Sequence, residues 1–446
     1  MNQTALPMDL PISEEHTVIV PTRPGEARVR KPVRNQAEMI IRDLDSLVSN
    51  DHPVRSIWEL LNKLDLTSFY SSIKAVLDKP GRPASDPQVL LALWVYATVE
   101  GIGSARHLAR LCEEHDVYRW LRGGVPIDYH LLAEFRVNHQ KDMDDLITQV
   151  VAILLKAEVA QLKRVSQDGL RVRASAGQAS FRRERSLQQC LEEARKQVER
   201  VAEEREHPDP GISQRERVAR ERAVRERQER IEAALRQLPE IQAAKERQRR
   251  NAGKARAAKI QEARVSTTDP TARAMKMPDG GFRPGYNVQL ATDTESQVIV
   301  GVAVSNRGTD QGEALGVEEQ VAERAGKHPE AYLVDGGFVD LNDIEALDHK
   351  GVKVYAPPKD NGKVEVSYRR GAAGTKGVSS WRERMKTEEA KTIYKERAAT
   401  SECVNALMRV RYGLRQFTVR GLSKVLCVTL LLVLTHNLLR WVNLTS

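Results

Sequence analysis

The stretch Tyr394–Arg409, YKERAATSECVNALMR, draws a polar stripe along a predicted helix. At about 100° per residue, Tyr394, Glu402, Asn405 and Arg409 fall on one side, while Ile393, Val404, Leu407 and Val410 take the other. One face is core. The other is chemistry or an ordinary solvated surface, since charged helix faces are the norm. Two isolated aspartates far upstream, Asp168 and Asp335, each close to an apolar run, give the stripe its context.

Working upstream, residues 359–385 form a Gly, Lys and Ser-rich excursion carrying Trp381, preceded by a strand (KVYAPP) and a helix (LNDIEALDHK). AYLVDGGF reads as a short buried strand that delivers Asp335 at its carboxyl end. GEALGVEEQVAERA is a predicted helix, and GYNVQLATD and SQVIVGVAVSN are two strands of a hairpin turning at Thr294 and Glu295. Asp293, Asp310 and Glu313 near these strand ends suit capping or turn roles. Further up, LKRVSQDGLRVRAS alternates as a strand with Asp168 at its centre, although Asp-Gly is equally a strong hairpin-turn signal. Between the two strand regions lies different material. Of the 84 residues from 181 to 264, 39 are charged, 23 basic and 16 acidic. Their sparse apolar residues are helically spaced, and HPDPG at 207–211 interrupts them, so the segment reads as an inserted antiparallel helical hairpin. Its mixed charge suits solvated helices or protein contact, with a phosphate clamp as the alternative.

The first half is helical almost throughout, in AEMIIRDLDSLV, SIWELLNKL, FYSSIKAVL, PQVLLALWVYATVEGI, SARHLARLCEE and a run to VVAILLKAEV. Asp86 before Pro87 is an N-cap signal, and Gly123–Gly124 breaks the pattern after YRWLR. Arg106, Arg110, Arg119, Arg122 and Arg136 decorate these helices as phosphate contacts or as wet surface. Residues 1–35 read as a flexible basic arm, either a solvated tail or an arm laid on DNA. With 446 residues, two or three domains are expected. The net charge of +9 points to an anionic partner, of which nucleic acid is the commonest. Four scattered cysteines without a CxxC pair argue against zinc and a disulfide framework. The opening residues lack a secretory pattern, and the apolar run Val425–Thr435 is about half a bilayer crossing. A cytoplasmic protein with no membrane partner is expected.

The order of elements is strand with Asp168, insertion, strand pair, helix, strand with Asp335, helix, strand, excursion, helix with Glu402. A mixed sheet can set two such aspartates side by side, and a helix packed across it can bring a glutamate to them. Clustered carboxylates repel unless a cation neutralises them. An oxygen-rich site suits Mg²⁺, which keeps positions for water and phosphate; two such ions support in-line displacement at phosphorus.

Tyr394, Arg397, Glu402 and Arg409 resemble the Y-R-E-K signature of DDE transposases from bacterial insertion sequences, with arginine for the usual lysine and one extra residue between Arg397 and Glu402. The resemblance extends through GRPASDPQVLLALWVYATVEGIGSARHLARLC with YRWLRGG, similar to their helical N-terminal domain. DGLRVRASAGQASFRR resembles their first-aspartate block, TDPTARAMKMPDGGFRPGYNVQLATD the strands that follow, and YLVDGGF the second-aspartate block. Leu170 stands where threonine or serine is frequent, and Gly337 and Phe338 vary the usual glycine-tyrosine ending. The resemblance implies an α/β, RNase H-like mixed sheet flanked by helices (161–180 and 265–446), an all-α DNA-binding domain (36–160) and the inserted hairpin (181–264). It implies Asp168, Asp335 and Glu402 as catalytic metal ligands for two Mg²⁺ ions, with Mn²⁺ as a substitute. Expected partners are double-stranded DNA, as element ends and target, and a second copy in a homodimeric synaptic complex. Arg106, Arg110 and Arg409 are candidate DNA contacts. Tyr394 and Arg397 either touch DNA or hold the helix in place, and Trp381 either stacks on an unpaired base or sits in the core. The rival readings are a non-catalytic DNA-binding protein derived from a transposase and a plain nuclease without strand transfer.

Overall fold

The computed structural model describes residues 41–75, 83–206, 211–258, 260–358 and 374–445. The basic arm, the HPDP tip of the hairpin and the first part of the excursion lie outside the described residues.

The first half folds as helices α1 (Pro53–Leu61), α2 (Thr67–Ser71), α3 (Pro87–Val99), α4 (Ala105–Glu114), α5 (Asp116–Arg122), α6 (Tyr129–Asn138) and α7 (Gln140–Lys156). Asp86 caps α3, its carboxylate accepting the Gln88 N–H, with Pro87 at the first turn. α3 is apolar all round and buried almost throughout, as such a helix must be. Gly123, at φ 55°, ends α5 in a left-handed conformation that glycine adopts without strain. The helix expected from AEMIIRDLDSLV is reduced, in its described part, to a short 3-10 turn over Asp45–Leu47. Arg55 explains the difference: its guanidinium binds the carbonyls of Asp45 and Val48, which a continuing helix would use itself.

A mixed sheet follows. Its strands are β1 (Arg164–Arg173), then, after the short β2 (Phe181–Arg182), the hairpin helices α8 (Glu184–Glu206) and α9 (Gln214–Arg250), α10 (Lys254–Ala257) and β3 (Val265–Ser266), the strands β4 (Arg273–Lys276), β5 (Phe282–Asp293) and β6 (Ile299–Ser305). Next come α11 (Ala314–Ala325), β7 (Ala331–Leu333), α12 (Leu341–His349), β8 (Lys353–Tyr355), α13 (Lys376–Arg384), α14 (Glu388–Val410) and α15 (Leu422–Thr445). β1 is central, antiparallel to β5 and parallel to β7, which pairs in parallel with β8. β4 and β6 share the other edge of β5, so the sheet runs β6-β5-β1-β7-β8. This is a mixed α/β sheet compatible with an RNase H-like core. Asp168–Gly169 lies within the ten-residue strand β1 and makes no turn. Helices α8 and α9 run antiparallel, tied by Arg220–Glu204 at 2.9 Å and by Gln242 to Glu184 at 3.1 Å. A small separate core of Leu187, Ala234, Leu238, Ala263 and Val265 closes their base.

α15 joins the two halves. It is long and apolar enough to cross a membrane by length and composition alone, yet it packs against α3, α6 and α7 on one side and β6 on the other. Each fully buried Leu or Val there contributes about 1.5–3 kcal/mol. Asn437 accepts from the Ile299 N–H at 2.9 Å and donates to its carbonyl at 2.8 Å, satisfying backbone groups at the outer edge of β6. His436 holds the Gln297 carbonyl at 2.8 Å. One continuous apolar core therefore spans the N-terminal helices and the sheet.

Candidate active site

Asp168 sits midway along β1, half-buried. Ser166 pairs in register with Leu333, the last residue of the parallel neighbour β7, and Asp335 follows two residues past that strand end, in the direction in which β1 carries on to Asp168. The Asp335 carboxylate is steadied by the Gly337 N–H at 2.6 Å. Its charge reaches Asp168. Burial pushes the Asp168 carboxyl above its ordinary value, Arg397 and the Gly169 N–H pull it down, and the charges of Asp335 and Asp310 push it up again.

α14 lies across β1. Ser401 and Ser166 share a hydrogen bond at 2.6 Å, and Glu396 pairs with Arg164 at 2.6 Å. Further along, the Asn405 amide donates to one Asp168 oxygen at 2.8 Å, and Arg397 stands 3.6 Å from the other. Tyr394 is half-buried, with the Arg397 guanidinium 5.9 Å from its ring centre. The buried side of α14 is Ala390, Thr400, Ser401, Val404 and Met408; of the expected core face, Val404 is buried and Ile393 and Leu407 pack half-buried against the core, while Val410 is corrected, being 71% exposed. The helix is turned so that polar Thr400 and Ser401 go inward, because Ser166 offers a hydroxyl partner there.

Glu402 is exposed, one residue beyond buried Ser401 and three before Asn405. Among the described residues no three His, Cys, Asp or Glu side chains gather closely enough to hold a metal ion. Arg409 is half-buried on the same helix. Trp381 takes the core role and not the base-stacking one, since it is 1% exposed and its indole N–H donates to the Ala356 carbonyl at 3.1 Å, leaving no ring face for a base. Arg106 and Arg110 are exposed one turn apart on α4, with Arg106 5.0 Å from the Tyr129 ring centre.

Two site residues were hidden from sequence reasoning. Asn405 was visible only as part of a polar stripe. Asp310, which looked like a turn residue, instead lies under the sheet, accepting from Asn287 at 2.6 Å, Gln289 at 2.8 Å and Arg171 at 3.0 Å. Asp293 does play the expected turn role, accepting from the backbone and hydroxyl of Ser296.

Residues 42–138 match the family model described as a transposase domain (DUF772), and residues 259–438 match the transposase DDE domain. No curated protein and no solved structure matches the chain. Transposases act on DNA, and DDE domains use divalent metal ions. The two family matches together cover more than half of the sequence, and the chain belongs to the DDE-type transposases of insertion sequences.

Proposed function

We propose that this transposase binds the terminal inverted repeats of its element and catalyses strand cleavage and strand transfer, with Asp168, Asp335 and Glu402 as the metal-binding carboxylates of an RNase H-like core. The observation that carries the reading is the placement of Asp168 on β1 and of Asp335 just past the end of the adjoining parallel strand β7, near enough that the charge of Asp335 pushes the Asp168 carboxyl up. Two such carboxylates fit a hard divalent cation with oxygen preference, Mg²⁺ or Mn²⁺. When bound, a pair of these ions supplies an activated water or hydroxyl and stabilises the leaving oxygen. The chain's own residues prepare that chemistry. Arg397 and Asn405 favour the ionised form of Asp168 and orient it; Glu402 stands one helical turn before Asn405 on the same helix. Arg409 and Tyr394 lie along the same helix as candidate holders of the DNA strand.

We assign residues 36–160 to end recognition, with Arg106 and Arg110 on backbone phosphates, residues 161–180 and 265–446 to catalysis, and 181–264 to an insert. Coordinated cutting of two ends calls for a homodimer, acting in the cytoplasm on nucleoid DNA. The test is strand cleavage of duplex carrying the repeats that flank the gene. Cleavage should require Mg²⁺ or Mn²⁺ and fall by at least 10³-fold in Asp335→Asn, given that removal of a group from a catalytic unit costs about that much; equal cleavage by the variant refutes the assignment. That no three candidate ligand side chains gather among the described residues favours one second reading, a chain that binds DNA without cutting it. That reading requires tight binding and no cleavage with either metal.

A further inference from the structure

The insertion has no part in the chemistry above, yet its base meets the body of the protein at a concentration of positive charge. Arg227 and Arg230 of α9, Cys190 of α8, Thr267 and Thr268 after β3, and Arg420 before α15 line a hollow of ≈ 250 Å³. The charges there are poorly compensated. Arg230 has its carboxylate, Glu226, at 3.8 Å, at the outer limit of an ion pair; Arg227 has Glu193 only at 4.0 Å and donates to the neutral Gln197 side-chain carbonyl at 2.7 Å. Arg420 donates its Nε to the Ser175 carbonyl at 3.2 Å, and no ion pair among the described residues includes it. The Nε of Arg230 is buried without a hydrogen-bond partner. Burial pulls the Arg230 guanidinium below its ordinary value and the neighbouring Arg420 pulls it further, with Glu226 opposing. A fold does not hold like charges together without return unless an anion joins them.

We propose that this hollow seats a backbone phosphate of bound duplex DNA, making the insertion a clamp on the same duplex that is presented to Asp168. The inference rests on DNA as the partner. Arg, with its planar fork of donors, is the side chain suited to phosphate oxygens, and the Thr268 hydroxyl adds a further donor. The placement suits a continuous duplex. From Asp168, β1 and its extension run seven residues to Ser175, where Arg420 docks, a span of about 23 Å at ~3.3 Å per residue. That equals the axial rise of about seven base pairs of duplex, at ~3.4 Å each.

The experiment measures affinity of the full chain for end-carrying and unrelated duplexes as a function of salt. R230Q and R420Q should each reduce the slope of log K against log salt by about 0.9, equally on both DNAs, because a phosphate contact carries no sequence information. R420K should keep the slope, and R222Q, at an exposed hairpin arginine paired with Glu226, should leave it unchanged. Cys190 supplies a second readout: duplex should slow its alkylation at least five-fold, followed on its own peptide, while inorganic phosphate at equal phosphate concentration should not. Slopes for R230Q and R420Q equal to that of R222Q, or one alkylation rate with and without duplex, overturn the clamp while leaving end cleavage intact. Protection by inorganic phosphate but not by duplex overturns it in favour of a small-anion site. Failure of the unmodified chain to bind any duplex sinks the proposed function together with it.

Discussion

Asn405 on α14 donates its side-chain amide to Asp168 on β1 at 2.8 Å, and Arg397, two turns earlier, stands 3.6 Å from the other oxygen of the same carboxyl. Both interactions favour the ionised form, against the burial that opposes it. Asn405→Ala and Arg397→Gln should therefore raise the Asp168 pKa and move the acid limb of the cleavage profile to higher pH. A hydrogen bond to a charged group is worth about 1.5–3 kcal/mol, so cleavage at neutral pH should fall roughly 10- to 100-fold. A pH–rate profile of both variants checks this; an acid limb that stays put argues against the role.

Gly169 is needed for space. A Cβ there would lie 2.2 Å from an oxygen of Asp310, and that carboxylate is tied by Asn287, Gln289 and Arg171. Gly169→Ala should destabilise the protein by about 1–3 kcal/mol, as overpacking does. Thermal unfolding followed by circular dichroism reads the loss, and Asp310→Ala in the same chain should recover part of it.

His436 gives a pH dependence. Burial, the largest cause, pushes its imidazole down to about 4, with the Gln297 carbonyl opposing. In the folded state it is neutral between about 4 and 6.5, where the unfolded chain binds a proton, so stability is fully present above pH 6.5 and is lost as pH falls toward 4. The loss is about 3 kcal/mol. Urea unfolding at pH 7.5 and pH 4.5 should show a much smaller difference for His436→Gln than for the unmodified chain.

Asp343 carries the opposite sign. Burial, then the charge of Asp340, pushes its carboxyl up to about 6, while the Leu315 N–H opposes, and one of its oxygens is buried without a hydrogen-bond partner. Its pKa is raised on folding, so stability is lost as pH rises from about 4 through about 6. Solvent screening at this partly exposed site reduces the full linkage value to about 1 kcal/mol. Asp343→Asn should accordingly raise the urea midpoint at pH 7.5 and leave it nearly unchanged at pH 4.

The strands bearing Asp168 and Asp335 were legible because alternation and short apolar runs report burial directly. The face of α14 was not. Thr400 and Ser401 look solvent-facing by polarity, yet they go inside because Ser166, more than two hundred residues away, supplies the hydroxyl that Ser401 bonds. The same limit applies to Asp-Gly at 168–169: its turn propensity is local, but the antiparallel register with β5 overrides it. Trp381 sits on α13, a helix inside what composition made a loop. The pairing of Asp168 with Asp335 followed from topology, whereas the exposed position of Glu402 depends on the rotation of one helix about its axis, which periodicity alone leaves open by tens of degrees.

α15 is synthesised after everything it supports. Helices α3, α6 and α7 face it across the apolar core, and Asn437 finishes the outer edge of β6, so neither half can reach its final packing while the ribosome is still translating residues 422–445. A product cut short before Leu422 would expose an oily trough on both halves, so the front helices should not fold stably when made without the rest of the chain.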